Sequence, residues 1–441
     1  MPYEWIATLM FSTMLLMMIT GQRVFGAIGF VAVVAAISLW GTGGSDMGFS
    51  SIMKLMKWTP LLTLPMFVFM GYVMSESRLA EDLYKMFHVW FGPLPGGLAV
   101  GTILLMVMIS VMNGLSVAGM AIGATIALPE LARRGYDKQL ISGVIQAGSS
   151  LGILIPPSVV MVLFSLIARA PVNQLWLAGI MPGLLMASMF MIYVVFRAWL
   201  NPALAPRMTA EERAEITWAE RLLLLRAGLL PVLIFAAMMV PFIKGWASLT
   251  EASVIGAVTS VMAAVIKRRF SWKVFETATR STLAITVMFM LIIMAAMSFG
   301  AVFDGLGAGR AIEDFFLRDL GLSAWQVLVL MQLSFLVMGM FLDDTAMLVI
   351  VAPIYVGLAR QLGFDLVWYG ILYTITCQIA YLTPPFGYNL FLMRAMAPSD
   401  YTLPVIYRSA LPFVGIMLVT LIVVGLFPQI ALWLPNMVLG L

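Results

Sequence analysis

The chain has 441 residues, of which 62% are hydrophobic and 10% charged, with a formal net charge of +4. This composition excludes a soluble globular domain, and apolar stretches of about 20 residues, enough to cross ~30 Å of hydrocarbon, recur along the chain. A single cysteine, Cys377, excludes an internal disulfide, and a single histidine, His88, disfavours histidine-based metal or redox chemistry. The sequence therefore predicts an all-α polytopic membrane protein that is not an enzyme.

The first half of the chain contains both complete spans and interrupted apolar segments. Residues 76–95 carry too many charges to cross a bilayer, and we expect them to lie along its surface. The apolar run 98–131 is interrupted by NGLS at 113–116, and arms of about 15 residues suit a re-entrant hairpin better than a crossing. Complete spans are predicted near 5–20, 24–41, 58–75 and 174–197.

A Pro-Pro pair interrupts the span 139–170 within the sequence SSLGILIPPS at 149–158. Proline lacks an amide hydrogen and clashes with the preceding turn, so Pro156 and Pro157 break the helix. A simple kink is the alternative reading. A break inside a membrane must satisfy its freed backbone groups by lining a cavity or facing protein, which makes it a pointer to a transporter's binding site.

The second half repeats this plan after a charged divider at 197–226. Its sequence predicts an amphipathic segment at 304–320, a hairpin at 322–359 with its tip near FLDDT, and a second broken span at 365–397 that contains LTPPFG. Complete spans are predicted near 228–243, 249–266, 281–303 and 404–433.

The two halves align without a gap between residues 112–161 and 340–389, where the two Pro-Pro pairs coincide. An internal repeat of this kind predicts two related halves of one membrane domain. We divide the chain into N-terminal spans and connector, first repeat, central loop with two spans, and second repeat, at 1–57, 58–197, 198–280 and 281–441.

The predicted spans fix a topology. Ten crossings put both termini outside and bring the basic clusters, including Arg133 and Arg134, to the cytoplasmic side. An odd number of crossings separates the two hairpins, so the second half is inverted and its hairpin opens outward.

The hairpin tips and helix breaks offer the polar groups of a transport site. Unwound carbonyls and hydroxyls suit Na⁺, and the N-termini of half-helices suit an anion. Interhelical hydrogen bonding is the alternative role for paired serines. The predicted Na⁺ ligands of the first half are Asn113, Gly114, Ser116, Ser149, Ser150 and Gly152.

The tip of the second hairpin carries an acidic pair, Asp343 and Asp344. Charged side chains are costly at membrane depth, so we expect this pair to be functional unless the tip lies in solvent. Arg394 suits an anion or a snorkelling position near the inner surface. The predicted Na⁺ ligands are Asp343, Asp344, Thr345, Thr376, Gln378, Thr383 and Gly387. The predicted substrate contacts are Ser150, Pro156, Pro157, Ser158, Pro384, Pro385, Asn389 and Arg394.

Four segments together resemble one transporter family. They are NGLSVAGMAIGATIALPELARRGYD, SSLGILIPPS, LAGIMPGLL and LTPPFGYNLF. Along nearly the whole chain, the sequence resembles the large membrane subunit of tripartite ATP-independent periplasmic (TRAP) transporters, within the wider ion-transporter superfamily. It departs from the usual pattern at Gln378 and Ala380, where Asn and Gly are more common.

The resemblance implies an elevator carrier, with a mobile transport domain of hairpins and broken helices on a scaffold of the other spans. It implies Na⁺ coupling without another cofactor, a bacterial inner-membrane location, a separate small four-helix membrane subunit, and a periplasmic binding protein that delivers a carboxylate. By position, the family's ion sites map onto Asn113, Ser116, Ser149 and Ser150, and onto the region of Thr376, Gln378 and Thr383.

Other functions remain open at this stage. A stand-alone carboxylate or Na⁺/H⁺ carrier of the same superfamily is the nearest alternative, and it would work without a binding protein. A channel would conduct without ion coupling. An intramembrane enzyme is disfavoured because one histidine and one cysteine leave few catalytic options.

Overall fold

A computed structural model describes residues 3–77, 79–114, 116–208, 217–308, 321–340, 344–384 and 387–440. Within these ranges every regular element is helical, which confirms the predicted all-α class. Five of the described helices are long and apolar enough to cross a membrane, and several shorter apolar helices accompany them. Most of the predicted amphipathic segment 304–320 lies outside the described residues, and so do all of the tip residues 341–343.

The helices of the first half follow the predicted order of spans, hairpin and broken helix. Helix α2 continues into a π-helical turn, and a helix, α3, replaces the predicted polar connector. The elements are α1 Tyr3–Ile19, α2 Val24–Ala35, α3 Gly44–Met56, α4 Thr63–Glu76, α5 Leu79–Phe91, α6 Gly97–Asn113, α7 Ser116–Ile122, α8 Leu128–Arg133, α9 Lys138–Ser150, α10 Val159–Ala168 and α11 Val172–Leu200.

The helices of the second half follow the same order after two central spans. They are α12 Trp218–Ile243, α13 Leu249–Ile266, α14 Trp272–Gly305, α15 Ala324–Gly339, α16 Asp344–Gln361, α17 Leu366–Tyr381, α18 Tyr388–Met396, α19 Leu403–Leu426 and α20 Gln429–Leu439.

Three span boundaries differ from the predictions. Helix α12 begins about ten residues early because Thr217 and Glu220 form a capping box, which satisfies the first backbone amides. Ser271 caps α14 ahead of the predicted start, and its hydroxyl accepts from the Val274 amide. The final predicted span is two helices, since α19 ends before Pro428, a residue that cannot continue the helical hydrogen bonding.

The repeat predicted from the sequence is visible in the helix boundaries. Helices α6, α9 and α10 correspond to α15, α17 and α18, and α7 and α8 together correspond to α16. Each second-half boundary falls within three residues of its counterpart at a separation of 228 positions. The interruptions predicted at the first hairpin tip and at the first Pro-Pro pair lie between these helices, and the described helices of the second half end and begin at the equivalent positions.

The bases of the two hairpins lie at opposite ends of the first broken helix. The first hairpin ends at Arg133, next to Asp137, which caps the start of α9. In the second hairpin, the Arg360 guanidinium donates to the carbonyl of Ala168, the last residue of α10, at 3.1 Å. This arrangement agrees with the inversion of the second half, which stays a prediction.

Helix α5 brings the central basic segments to one end of the bundle. Asp82 pairs with Lys267 at 3.3 Å and with Arg269 at 3.0 Å, and the Trp90 indole donates to the carbonyl of Arg221. These contacts agree with the predicted gathering of positive charge on one side. That this side is cytoplasmic stays a prediction.

Candidate functional site

The tip of the first hairpin rests on the first helix break. The Val159 amide, at the start of α10, donates to the Gly114 carbonyl at 3.4 Å. Gly114 has φ +64°, and a Cβ there would lie 2.3 Å from the Pro157 carbonyl oxygen. Only glycine fits this position, because any side chain meets both an unfavourable backbone conformation and a backbone atom.

The second helix break repeats this contact. The Gly387 amide, just before α18, donates to the Met340 carbonyl at the end of α15, at 3.2 Å. Gly387 corresponds to Val159 in the repeat, so each C-terminal half-helix begins with a backbone hydrogen bond to its own hairpin. Thr383 and Pro384 lie half-buried beside this break, and the Thr383 hydroxyl donates to the Ile379 carbonyl. Pro385 lies outside the described residues.

Ser149 and Ser150 are completely buried at the end of α9. The Ser149 hydroxyl donates to the Gln146 carbonyl at 2.9 Å, and the Ser150 hydroxyl donates to the Ala147 carbonyl at 2.7 Å. A hydroxyl whose proton is engaged still presents oxygen lone pairs. These oxygens can therefore accept a cation, and the role of the two serines as Na⁺ ligands stays a prediction. Gly152 follows in a buried 3-10 turn.

Helix α7 packs directly on this pair of serines. A Cβ on Gly119 would lie 3.2 Å from both Cα and Cβ of Ser149, tighter than ordinary van der Waals contact. Because residue 119 is a glycine, α7, which follows the hairpin tip, can approach the serine oxygens closely.

Ser158 has a structural role at the same break. It caps α10 by accepting from the Met161 amide, and its own hydroxyl donates to the Ile153 carbonyl at 2.5 Å. The Trp176 indole donates to the Ser158 carbonyl. Because its hydroxyl proton and backbone carbonyl are engaged, Ser158 holds the shape of the break, together with the buried Pro156 and Pro157.

Ser116 and Asn389 connect the two halves. The Ser116 hydroxyl oxygen lies 3.0 Å from the amide nitrogen of Asn389 and 3.1 Å from its amide oxygen, and both distances are hydrogen bonds. Both residues are buried, at 3% and 0% exposure. The structure thus joins a predicted Na⁺ ligand at the first tip to a predicted substrate contact at the second break.

Gln378 makes a second connection between the halves. Its amide nitrogen donates to the Ser150 carbonyl at 2.8 Å, and both residues are fully buried. The amide oxygen of Gln378 has no hydrogen-bond partner among the described residues. A buried carbonyl oxygen without a partner is costly, so this atom is a candidate acceptor for a cation or a water molecule.

The structure does not bring Thr376 to Gln378 and Ser150. Its hydroxyl donates to the Gln332 amide oxygen on α15 at 2.6 Å, on the side of α17 away from Ser150. Thr376 and Gln332 line a cavity of about 380 Å³ between α15, α17 and α19, whose walls are otherwise apolar.

The remaining predicted site residues are located as follows. Asn113 ends α6, and Asp344 and Thr345 begin α16, but their side chains are outside the described part, as is all of Asp343. Arg394 lies half-buried in the last turn of α18.

The sequence analysis missed a buried polar cluster on α9. The Gln146 amide donates to the Ser142 hydroxyl at 2.8 Å and to the Ser409 hydroxyl on α19 at 3.1 Å. Residues four apart share a helix face, so the Ser142–Gln146 pair was detectable. Its partner on a distant helix was not.

The buried polar side chains of the described part share one chemistry. They are hydroxyls and amides, and none carries a formal charge. Within the same ranges, no group of three His, Cys, Asp or Glu side chains is placed to hold a metal ion. The polar side chains that meet at the breaks therefore offer neutral oxygen atoms as possible ligands.

Residues 11–430 match the sequence profile of the tripartite ATP-independent periplasmic transporter, DctM component. The chain belongs to this family. Among its relatives, the C4-dicarboxylate TRAP transporter large permease protein DctM of Pseudomonas aeruginosa is 32% identical, over 85% of this chain and 86% of the relative. The ectoine TRAP transporter large permease protein TeaC of Halomonas elongata is 26% identical, over 98% of this chain and 99% of the relative.

The fold has a solved counterpart. The crystal structure of the YdaH transporter of Alcanivorax borkumensis matches with a TM-score of 0.66 over 89% of this chain and 90% of that one, at 15% identity. At this identity the likeness concerns the fold alone. Family membership identifies the chain as a multi-pass transport permease, the large membrane subunit of a TRAP system, and not an enzyme.

Proposed function

We propose that this chain is the translocating subunit of a Na⁺-coupled importer of a small organic acid, delivered by a periplasmic binding protein. The observation that carries the proposal is the convergence of tip and break in the first half. There, Gly114 contacts Pro157, and α7 packs on Ser149.

Na⁺ coupling is supported by the chemistry of this convergence. Neutral hydroxyl and carbonyl oxygens suit a hard monovalent cation, whereas hydroxyls and amides do not take up protons near neutral pH. We assign the ion ligands to the neighbourhood of Ser116, Ser149 and Ser150. The amide oxygen of Gln378, which has no partner in the described part of the chain, is a further ligand.

An elevator mechanism is supported by the way that each hairpin is fastened to its broken helix. The backbone hydrogen bonds at Gly114 and Gly387 hold each tip against the start of the following half-helix. The side-chain contacts Ser116–Asn389 and Gln378–Ser150 join the two halves. A body connected in this way would move as a unit against the remaining spans.

The tripartite assembly and the substrate class rest on family membership. The matching family is one component of a tripartite transporter, which implies a binding protein and a small four-helix membrane subunit beside this chain. Relatives are named for a C4-dicarboxylate and for ectoine, so substrates differ within the family. We infer an organic acid, with Asn389 and Arg394 nearest to its carboxylate.

The proposal is tested by uptake of a radiolabelled C4-dicarboxylate into proteoliposomes that contain this chain and its membrane partner. Binding protein and an inward Na⁺ gradient are supplied or omitted separately. Uptake that needs both supports the proposal. Uptake by this chain alone identifies a stand-alone carrier, and uptake without Na⁺ excludes sodium coupling.

The Ser149→Ala variant tests the location of the ion site. Loss of one hydrogen-bonding group to a charged ligand costs ~1.5–3 kcal/mol, so the Na⁺ concentration for half-maximal uptake should rise about tenfold or more. Ser165→Ala is the matched control, because Ser165 is buried in α10 but donates to the Ala170 carbonyl at the end of that helix. An equal effect in both variants would contradict the assignment.

A further inference from the structure

A cavity of about 460 Å³ lies between α10, α14 and the end of α3, away from the helix breaks. Two cationic side chains, Lys54 and Arg169, line it beside Trp58. Among the residues that the structure describes, no acidic side chain lines the cavity and neither cation has an ion-pair partner. The cavity therefore presents positive charge that the described protein does not neutralise.

The other walls of this cavity are mainly apolar. They are formed by Leu163, Leu166, Ile293, Ala296 and Met297. The one hydroxyl among the described lining residues, that of Ser165, is engaged with a backbone carbonyl. A small hydrophilic anion would need polar partners on several sides, whereas these walls match hydrocarbon. The chemistry suits a ligand with an anionic head and an apolar body.

The surroundings of the cavity are also suited to lipid. Helix α3 exposes Met53 and Met56 beside Lys54, at 41% and 61% exposure. Arg169 follows the last residue of α10 and so lies near the end of a predicted span, where a head group is expected. Basic pockets between membrane helices are a known form of lipid head-group site.

We propose that this cavity binds one anionic phospholipid, with Lys54 and Arg169 contacting the head-group phosphate and the α10–α14 walls contacting an acyl chain. The site is separate from the helix breaks, and its existence does not depend on Na⁺ coupling or on the identity of the substrate.

The test uses the full chain, purified in detergent and mixed with equal amounts of phosphatidylglycerol and phosphatidylcholine of the same acyl chains. Native mass spectrometry then gives the ratio of the two bound lipids. An isolated basic residue near a membrane surface contributes about a fivefold preference for anionic lipid. The wild type should favour phosphatidylglycerol, and Lys54→Gln with Arg169→Asn should lower the preference by roughly fivefold per cation.

The variants are chosen to separate charge from folding. Arg169 has φ +52°, a conformation that asparagine tolerates better than most residues. Arg169→Lys keeps the charge and should keep the preference. Lys57→Gln is the matched control, because Lys57 is exposed three residues from Lys54 but does not line the cavity.

Three results would overturn the proposal. The first is equal binding of the two lipids by the wild type, and the second is an unchanged preference in the double variant. The third is displacement of phosphatidylglycerol by a soluble C4-dicarboxylate at low concentration, which would make the cavity a site for a water-soluble anion.

Discussion

Gln378 donates a hydrogen bond to the carbonyl of Ser150 at 2.8 Å, and the two residues occupy equivalent positions in the two halves, 228 residues apart. Equivalent positions of a two-fold repeat can touch only near the axis that relates the halves. The end of α9 and the last turn of α17 therefore meet at the centre of the repeat, next to both helix breaks.

Removal of this central contact should destabilise the protein. Gln378→Leu leaves the buried Ser150 carbonyl without its donor, at a cost of about 1–3 kcal/mol. Thermal unfolding of the purified chain measures the effect as a lower midpoint. Gln139→Leu, an exposed amide in the first turn of α9, is the control and should change stability by no more than about 0.5 kcal/mol. Equal midpoints for the two variants would show that the contact makes no net contribution to the stability of the protein.

Gly114→Ala should abolish uptake. The added Cβ would lie 2.3 Å from the Pro157 carbonyl, and φ +64° disfavours any side chain by ~1–2 kcal/mol. Gly135→Ala is a close control, because Gly135 has φ +76° with no atom within 4 Å of the added carbon. The control has the same backbone strain without the clash. If both variants lose uptake equally, contact between tip and break is not what transport requires.

Ser116 and Asn389 should be energetically coupled. In a double-mutant cycle of Ser116→Ala and Asn389→Ala, measured on the apparent Na⁺ or substrate affinity, we expect a coupling energy of roughly 0.5–3 kcal/mol. Pairing Ser116→Ala with Ser409→Ala provides the reference, because Ser409 contacts Gln146 on α9 instead. Additive effects in the first cycle would mean that the observed hydrogen bond does not contribute to transport.

Glu130 should make stability depend on acid pH. Burial raises its pKa, but hydrogen bonds from Arg133 and Arg134 outweigh burial and hold the pKa of Glu130 below its ordinary value of 4.5. A depressed carboxyl pKa stabilises the fold above the unfolded-state value, and the stabilisation is lost as pH falls through the folded-state value.

The measurement is the difference in unfolding midpoint between wild type and Glu130→Gln. It should be constant above about pH 5.5 and shrink below about pH 4.5. Glu276→Gln removes a more exposed carboxylate, paired with Arg280, and should give a smaller difference. A difference for Glu130→Gln that does not change with pH would contradict the ion-pair explanation.

Features that follow from backbone chemistry were predictable from local sequence. Proline pairs break helices wherever they occur, and Asp137 and Asp365 begin α9 and α17 because their carboxylates accept from free backbone amides. The described helix ends that flank the two tips and the two Pro-Pro pairs therefore lie where the sequence predicted. Span ends were less predictable, because α12 and α14 extend beyond their apolar cores under the influence of caps at Thr217 and Ser271.

Side-chain partners could not be predicted from local sequence. Thr376 and Gln378 stand two positions apart on α17, and both were predicted as Na⁺ ligands of the second half. A helix turns about 200° over two residues, so Thr376 faces Gln332 while Gln378 faces Ser150. Which face meets the break depends on how distant helices pack, and this information is absent from any local window.

By itself, the sequence determined a helical membrane protein built from two related halves, with hairpin tips and Pro-Pro breaks at fixed places. These properties arise from hydrophobicity, proline geometry and repeat alignment, which act within a few residues. Only the tertiary structure decided that Ser116 meets Asn389, that Gln378 meets Ser150, and that Lys54 and Arg169 share one cavity. Such contacts join residues far apart in the chain, so they exist only once the helices have packed.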